Sequence, residues 1–393
     1  MTNLPSHSQL LGGMSNAQFL AEYWQQKPLL VRAAWPAFSN PISPEELAGL
    51  ACEDEVCARL VRQSKQRWQV RHGPFKETDF TRLPAKRWTV LVPDMEKHLP
   101  DLRSILEPFR FIPDWRIDDL MISYAAEQGS VGPHVDEYDV FLLQGLGRRR
   151  WQIDTRPVAP DNYQADSELR ILQHFEAESE WILEPGDMLY LPPGVAHFGV
   201  ALDDCMTYSI GFRAPSVQDM VADFCDYLIQ RSAEAGRWRD PKLSPADNPG
   251  QIQPSILNQL QTLLQQQLSF TEGELQIWFG RFITEAGTDL SPLPTAEVPT
   301  PTALADKLTR HEQWQRCSTT RFAYIAQADH AITLFIDGQA YPLTKQDAWL
   351  GKLLCRQVSF PSSALLPALA QAQTSTLLLE WINQGYLLAA DDT

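Results

Sequence analysis

Hydrophobic positions along this chain follow two different periods. Between about 110 and 215 they fall into short runs, "WRIDDLMISYA", "HVDEYDVFLLQ", "RRRWQI", "GDMLYLPP", "AHFGVAL" and "MTYSIGF", separated by Gly and Pro turns. Many short strands with turn signals and no intervening helical period predict an all-β barrel or double-sheet jelly roll. After "FRAP" at 212–215 the spacing changes. Met220, Val221, Phe224, Tyr227 and Leu228, then Ile256, Leu257, Leu260, Leu263, Leu264 and Leu268, recur at the interval of amphipathic helices. "SPLPTAEVPTP", residues 291–301, reads as a Pro-rich linker. Beyond it the pattern predicts a short helix, a hairpin turn at Asp337-Gly338, and helical stretches around 346–356, 362–373 and 375–384. Upstream, Ser43, Pro44 and Glu46 are the N-cap, first and third residues of a capping box.

Length and charge narrow the classes. A chain of 393 residues suits two or three domains. Its net charge of −16 argues against non-specific nucleic-acid binding and is compatible with a basic partner. The N-terminal "MTNLPSHSQLLGGM" is not a signal peptide, and no stretch is long and apolar enough for a membrane span. The six cysteines are scattered without a CxxC pair, as expected of reduced thiols in a cytoplasmic protein.

The candidate chemistry lies in the β-rich region. In "GPHVDEYDVF" strand alternation puts His134 and Asp136 on one face, with Tyr138 next along it. "EPGDMLYLPPGVAHFGV" adds a Pro-Gly-Asp turn, a strand, a Pro-Pro-Gly turn and then His197 at the start of the next strand. Two histidines and one carboxylate that leave coordination positions open are the ligand set of non-haem Fe(II) oxygenases. The remaining histidines lie outside any such constellation.

Arg149 adds an independent argument. It shares a strand face with Trp151 and Ile153, so it points into the barrel. A buried guanidinium needs an anionic partner. That partner is either a carboxylate of the protein or the far carboxylate of a dicarboxylate such as 2-oxoglutarate. Ser123 is a candidate hydroxyl beside it; the position two residues on, which would also suit a hydroxyl, is Ala125. Asp119, Met121 and Ser123 share one face of their strand. An ionised Asp119 with the Ser209 hydroxyl would receive a guanidinium, and Met121 and Tyr138 would clasp its methylene stem. Asp118 or Asp119 as a turn cap is the alternative.

The HVD triplet, the arginine thirteen residues after that aspartate and "PPGVAHFGV" resemble the JmjC-type 2-oxoglutarate/Fe(II) oxygenases. "FLAEYWQQKPLLVR", "PDWRIDDLMIS", "VGPHVDEYDVF", "GRRRWQI" and "FRAP" resemble the ribosomal-oxygenase branch. That resemblance implies a cupin-like double-stranded β-helix within a catalytic domain over 1–215, its jelly-roll core at about 110–215. It also implies a helical dimerisation module at 216–290 and an α+β winged-helix-like domain at 302–393. His134, Asp136 and His197 would bind Fe(II), Arg149 would hold 2-oxoglutarate, and O₂ would be the second cosubstrate. The substrate arginine would run between Met121 and Tyr138 to Asp119 and Ser209. The implied activity is hydroxylation, at a β-carbon, of an arginine in large-subunit ribosomal protein L-sixteen by a cytoplasmic homodimer. Rival expectations are histidyl hydroxylation or lysyl demethylation on the same fold, or a non-enzymatic cupin-like binding protein. Residues 302–393 hold seven Lys/Arg against eight Asp/Glu, so no basic footprint marks the winged helix for DNA.

Overall fold

The runs of short strands fold into two sheets that share one interior. The computed structural model describes residues 4–390 apart from 65–66, 165–168, 214, 232–235, 241–242, 244, 246, 286–291 and 293–299. The expected Pro-rich linker therefore lies almost wholly outside the described residues. The chain divides into two units, Met1–Ala214 and Pro215–Thr393. The first contains β1 (Leu29–Val31), β2 (Arg59–Ser64), β3 (Arg67–His72), β4 (Trp88–Val92), β5 (Ile117–Ala125) and β6 (His134–Val135). It continues with β7 (Val140–Leu146), β8 (Arg149–Asp154), β9 (Ser179–Leu183), β10 (Met188–Leu191), β11 (Ala196–Ala201) and β12 (Cys205–Phe212).

An eight-stranded sheet runs β1-β10-β7-β12-β5-β4-β2-β3, and a four-stranded sheet runs β6-β11-β8-β9. Alternation gives the large sheet two faces with different partners. Leu120, Ile122, Phe141, Leu143, Tyr190, Tyr208 and Ile210 point outward into a core closed by N-terminal elements, including Phe19, Trp35 and Phe109. Val140, Leu142, Leu189 and Leu191 point inward and meet Trp151, Ile153 and Leu183 of the small sheet. Burial of these inner side chains, each contributing about 1.5–3 kcal/mol, holds the two sheets together.

Two buried carboxylates fasten the N-terminal segment. Asp139 accepts from the Tyr190 hydroxyl (2.6 Å) and the Gln25 amide (2.9 Å). Asp187, from the Pro-Gly-Asp turn, accepts from Arg32 (2.6 Å) and from the Ala33 N–H (2.8 Å). The capping box at Ser43 and Glu46 is present.

The strands differ from the sequence expectation in three places. "HVDEYDVFLLQ" is not one strand: β6 ends at Val135 in the small sheet, and β7 begins at Val140 in the large one. Residues 136–139 carry the chain between sheets, so strand alternation is not what aligns His134, Asp136 and Tyr138. Of the four strands before residue 100, β2 and β3 have an apolar pattern interrupted by charged side chains, as in "RWQVRH", whereas β1 and β4 are largely apolar runs of three and five residues that periodicity alone does not assign to a strand. β9 was also missed; its burial alternates, and its outward positions carry Glu180 and Ile182.

In the second unit, helices span Val217–Arg231, Pro254–Gln267, Glu272–Thr284 and Pro301–Arg310. Strands follow at β13 (Gln313–Arg316), β14 (Phe322–Ala326), β15 (Ile332–Ile336), β16 (Gln339–Leu343), β17 (Ser359–Pro361) and β18 (Leu387–Ala389). Asp337 and Gly338, both at positive φ, make the expected hairpin turn between β15 and β16. The helices around them are Ala348–Arg356, Ser362–Leu365 and Ala372–Asn383.

Within the small sheet, Gly199 on β11 makes room for its cross-strand neighbour Trp151 on β8. A Cβ added at Gly199 would lie 2.6 Å from the Trp151 ring and 2.9 Å from Arg149 Nε. Gly199→Ala should therefore cost about 1–3 kcal/mol by overpacking. Denaturant unfolding measures this, and a variant as stable as the wild type would show that the interior has slack there.

Candidate active site

The pairing of β6 with β11 sets His134 directly across from His197, with ring centroids 4.2 Å apart. The chain leaves the sheet one residue later, and the Asp136 carbonyl accepts from the Gly194 N–H at 2.9 Å. This contact ties the Asp136 loop to the Pro-Pro-Gly turn that launches His197. Asp136 Oδ2 then lies 3.5 Å from His197 Nε2 and 3.9 Å from His134 Nε2. Ligand atoms of the three residues all fall within 4.8 Å of one another.

Each imidazole is oriented from behind. His134 Nδ1 is 2.9 Å from the Gly132 carbonyl, and His197 Nδ1 is 3.0 Å from the Val195 carbonyl. Donation of Nδ1–H to these carbonyls leaves the Nε2 lone pairs pointing toward Asp136. Burial, followed by the neighbouring His134 ring, lowers the His197 pKa to about 4, so the ring is neutral at neutral pH. A neutral imidazole is the form that ligates metal. Two imidazole nitrogens and one carboxylate oxygen, with His134 and Asp136 only half-buried, match the donor set of an open Fe(II) site.

Deeper between the sheets, Arg149 is 4% exposed. Its Nη1 lies 3.1 Å from Thr207 Oγ1 and 3.4 Å from Ser123 Oγ, and its guanidinium sits 5.0 Å from the centre of the Trp151 ring. Thr207 donates its proton to Gln144 (3.2 Å), which leaves its oxygen free to accept from Arg149. Nε has no hydrogen-bond partner. Burial pushes the pKa of Arg149 down. Among the described residues no carboxylate pairs with it, so the internal-carboxylate alternative is not met. The arrangement fits an anionic ligand entering from the site.

Thr207 escaped the sequence reading although a signal for it existed. In "MTYSIGF" it occupies the same face as Ser209, one alternation away. Trp151, read there only as apolar company for Arg149, supplies a π-face to the guanidinium.

The expected substrate residues gather beside the metal triad. On the inner face of β12, Ser209 pairs in register with Met121, and a Cβ on Gly211 would lie 2.9 Å from Asp119 Oδ1. Two-fifths of Tyr138 is exposed, and its hydroxyl lies near Asp136 and Asp119. Burial, then Asp136 and Asp119, raise its pKa.

Asp119 differs from the sequence expectation in one respect. Burial, then Glu96, Asp118 and Asp94, raise its pKa to about 7, so its charge is not assured at neutral pH. Glu96 is itself buried, accepts from the Leu120 N–H at 2.9 Å, and has a pKa raised by burial. Asp94, which is ion-paired to Lys97, donates its backbone N–H to Asp119 at 3.4 Å. Only the fold reveals this carboxylate neighbourhood, because Asp94 and Glu96 precede Asp119 by more than twenty residues.

Comparison with known proteins agrees with the geometry. Residues 104–220 match the JmjC domain family, and residues 262–388 match the ROXA-like winged helix family. The ribosomal protein uL16 3-hydroxylase of Escherichia coli strain K12 is 36% identical over 368 residues, covering 94% of this chain and 96% of its own length. The X-ray structure of E. coli ycfD is 33% identical with a TM-score of 0.83, covering 95% of this chain and 98% of that one. A structure of the E. coli ribosomal oxygenase YcfD in complex with cobalt and 2-oxoglutarate is 32% identical. Its TM-score is 0.81, with the same coverage of the two chains. A β-rich JmjC catalytic domain with a winged helix after it, and identity over almost the full length of such a relative, show that the chain belongs to the JmjC-fold ribosomal oxygenases.

Proposed function

We propose that this oxygenase hydroxylates an arginine, at its β-carbon, in a large-subunit ribosomal protein, uL16 (L-sixteen). Fe(II) is the metal, and 2-oxoglutarate and O₂ are the cosubstrates. The observation that carries the reading is a donor set open at Nε2, Nε2 and Oδ2 beside a buried arginine without a carboxylate. When bound, the metal and cosubstrate supply the O₂ chemistry, with 2-oxoglutarate leaving as succinate and CO₂. His134, Asp136 and His197 would hold the metal on one side. Arg149, steadied by Thr207, Ser123 and Trp151, would hold the remote carboxylate of 2-oxoglutarate by charge-assisted hydrogen bonds. Asp119 and Ser209 would receive the substrate guanidinium, and Met121 and Tyr138 would flank its stem. Positioning of the target carbon is the protein's contribution to rate. A ribosomal-protein substrate supports a cytoplasmic setting, and among the described residues no helix is long and apolar enough to cross a membrane.

We read three functional parts: the catalytic domain at 1–215, a helical module at 216–290 and the winged helix at 302–393. Helix Pro254–Gln267 has no buried residue, and Leu257, Leu260, Leu263, Leu264 and Leu268 are exposed. An apolar face of this size on one helix supports burial against a second copy in a homodimer. Light scattering should report a monomer for Leu260→Glu/Leu264→Glu if this face makes the dimer.

The raised pKa of Asp119 gives a specific reason to test a second substrate. A protonated carboxyl would donate to a neutral histidine, whereas an ionised one receives a guanidinium. Arginine and histidine peptides compared by mass shift and succinate yield decide between them.

Removal of any one metal ligand, as in His197→Ala, should abolish succinate production in the presence of peptide. Arg149→Ala should instead raise the KM for 2-oxoglutarate, and Thr207→Val should raise it by about three- to tenfold through loss of one hydrogen bond to a charge. Unchanged 2-oxoglutarate affinity in Arg149→Ala would place the cosubstrate elsewhere.

The Asp119 reading also carries a pH dependence with a defined sign. A guanidinium binds the ionised carboxyl, whose fraction rises as pH passes upward through about 7. The peptide KM should therefore fall from pH 6 to pH 8, by about fivefold between pH 6 and 7. Asp119→Asn should flatten that dependence and bind the arginine peptide more weakly by about 1–3 kcal/mol. A wild-type KM that is level across this range would remove Asp119 as the receptor.

A further inference from the structure

We propose that the β2–β3 hairpin is an RNA-docking surface, distinct from the oxidation site. The overall charge of −16 hides a strong local inversion. Residues 59–88 hold nine Lys/Arg against two Asp/Glu, a local charge of +7, so the rest of the chain carries −23. Six of those nine are arginines, the side chain best suited to phosphate.

The fold sets three of these arginines on one face. β3 is the last strand of the eight-stranded sheet. In its pairing with β2, Ser64 faces Arg67, Arg62 faces Gln69 and Leu60 faces Arg71, so Arg62, Arg67 and Arg71 project from the same face. All three are exposed, and half-buried Trp88 lies opposite Arg62 on the neighbouring strand. Arg71 is held by Asp79 at 2.9 Å. Arg62, Arg67 and exposed Arg82 have no carboxylate partner among the described residues.

Edge strands commonly carry charge to deter pairing with other sheets. Either sign would serve that purpose, and mixed signs would serve it at lower cost in self-repulsion. One sign, in a chain otherwise strongly negative, calls for a polyanion. Arg62 of β2 stands beside Gln69, between Arg67 and Arg71 of the edge strand, so the three arginines step along the hairpin at about 6.7 Å, which suits a repeating phosphate chain, and the adjacent indole offers a surface for a base. A protein partner would have to present carboxylates at the same regular interval. The proposal stands on the hairpin alone and does not depend on the substrate assigned to the active site.

The test is fluorescence anisotropy with the full-length protein and a fluorescein-labelled single-stranded RNA of about 20 nucleotides and mixed sequence, titrated at several salt concentrations. The wild type should bind, with affinity falling steeply as salt rises. R62E/R67E should weaken binding by at least about tenfold and reduce the salt slope by about 1.4, at roughly 0.7 per lost phosphate contact. K352E/R356E makes the same charge change in the second unit and should stay within about twofold of wild type. R62Q/R67Q repeats the test without charge reversal, and retained hydroxylation of a free peptide shows that the hairpin variants are folded. Absence of wild-type binding at low salt would overturn the proposal, as would equal losses in the two charge-reversed pairs. Competition by polyglutamate as effective as by RNA of equal charge would also overturn it, and would assign the hairpin to an acidic protein surface.

Discussion

The Arg149 guanidinium lies between two β-sheets, where Thr207, Ser123 and the Trp151 ring meet it and no carboxylate among the described residues answers its charge. Removal of an unpaired cation from water costs several kcal/mol, even after the surroundings relax. Two hydroxyls and an indole recover part of that, and Nε is left without a partner. The interior is shaped around this arrangement. Gly199 gives up a side chain so that Trp151 and Arg149 can lie side by side, and Gln144 orients Thr207 so that its oxygen accepts. A fold that stabilises a charge this incompletely is built for the ligand that completes it.

Much of the site was legible in the sequence, though not always for the physical reason first given. The Pro-Gly-Asp and Pro-Pro-Gly turns bracket β10 and fix where His197 begins the next strand, and that inference rested on local turn chemistry. Alternation also placed Arg149 correctly with Trp151 and Ile153. His134 and Asp136 do meet, but through a strand that stops and a loop held at Gly194 rather than through one strand face. Thr207 lies 58 positions from Arg149, and Glu96 comes from the short helix Met95–His98 before β5. Such partners are chosen by sheet order, which the spacing of residues in one sequence does not encode.

Charge behaves in the same way at a larger scale. A whole-chain value of −16 suits a basic protein substrate, yet it averages two surfaces of opposite character. Around Asp119 several carboxylates are drawn together, and after burial they raise its pKa. On the β2–β3 hairpin arginines stand in the open with few partners. An average over 393 residues is informative about solubility and long-range steering, and a Debye length of about 8 Å means that each surface acts on its partner by its local charge.

The metal triad shows why the change of sheet matters for chemistry. A ligand inside a regular strand has its direction fixed by the ladder, and two neighbouring ligands on one face stand about 6.7 Å apart along the strand. Side chains can converge from that spacing, but each keeps the direction that the ladder gives it. β6 contributes only two residues before the chain crosses to β7, so Asp136 is released from the ladder and can turn toward the two imidazoles. The histidines are instead paired across strands, where the register brings their rings to 4.2 Å. Rigid pairing sets two ligands and a short anchored loop sets the third. This combination holds the donors close together while His134 and Asp136 stay only half-buried.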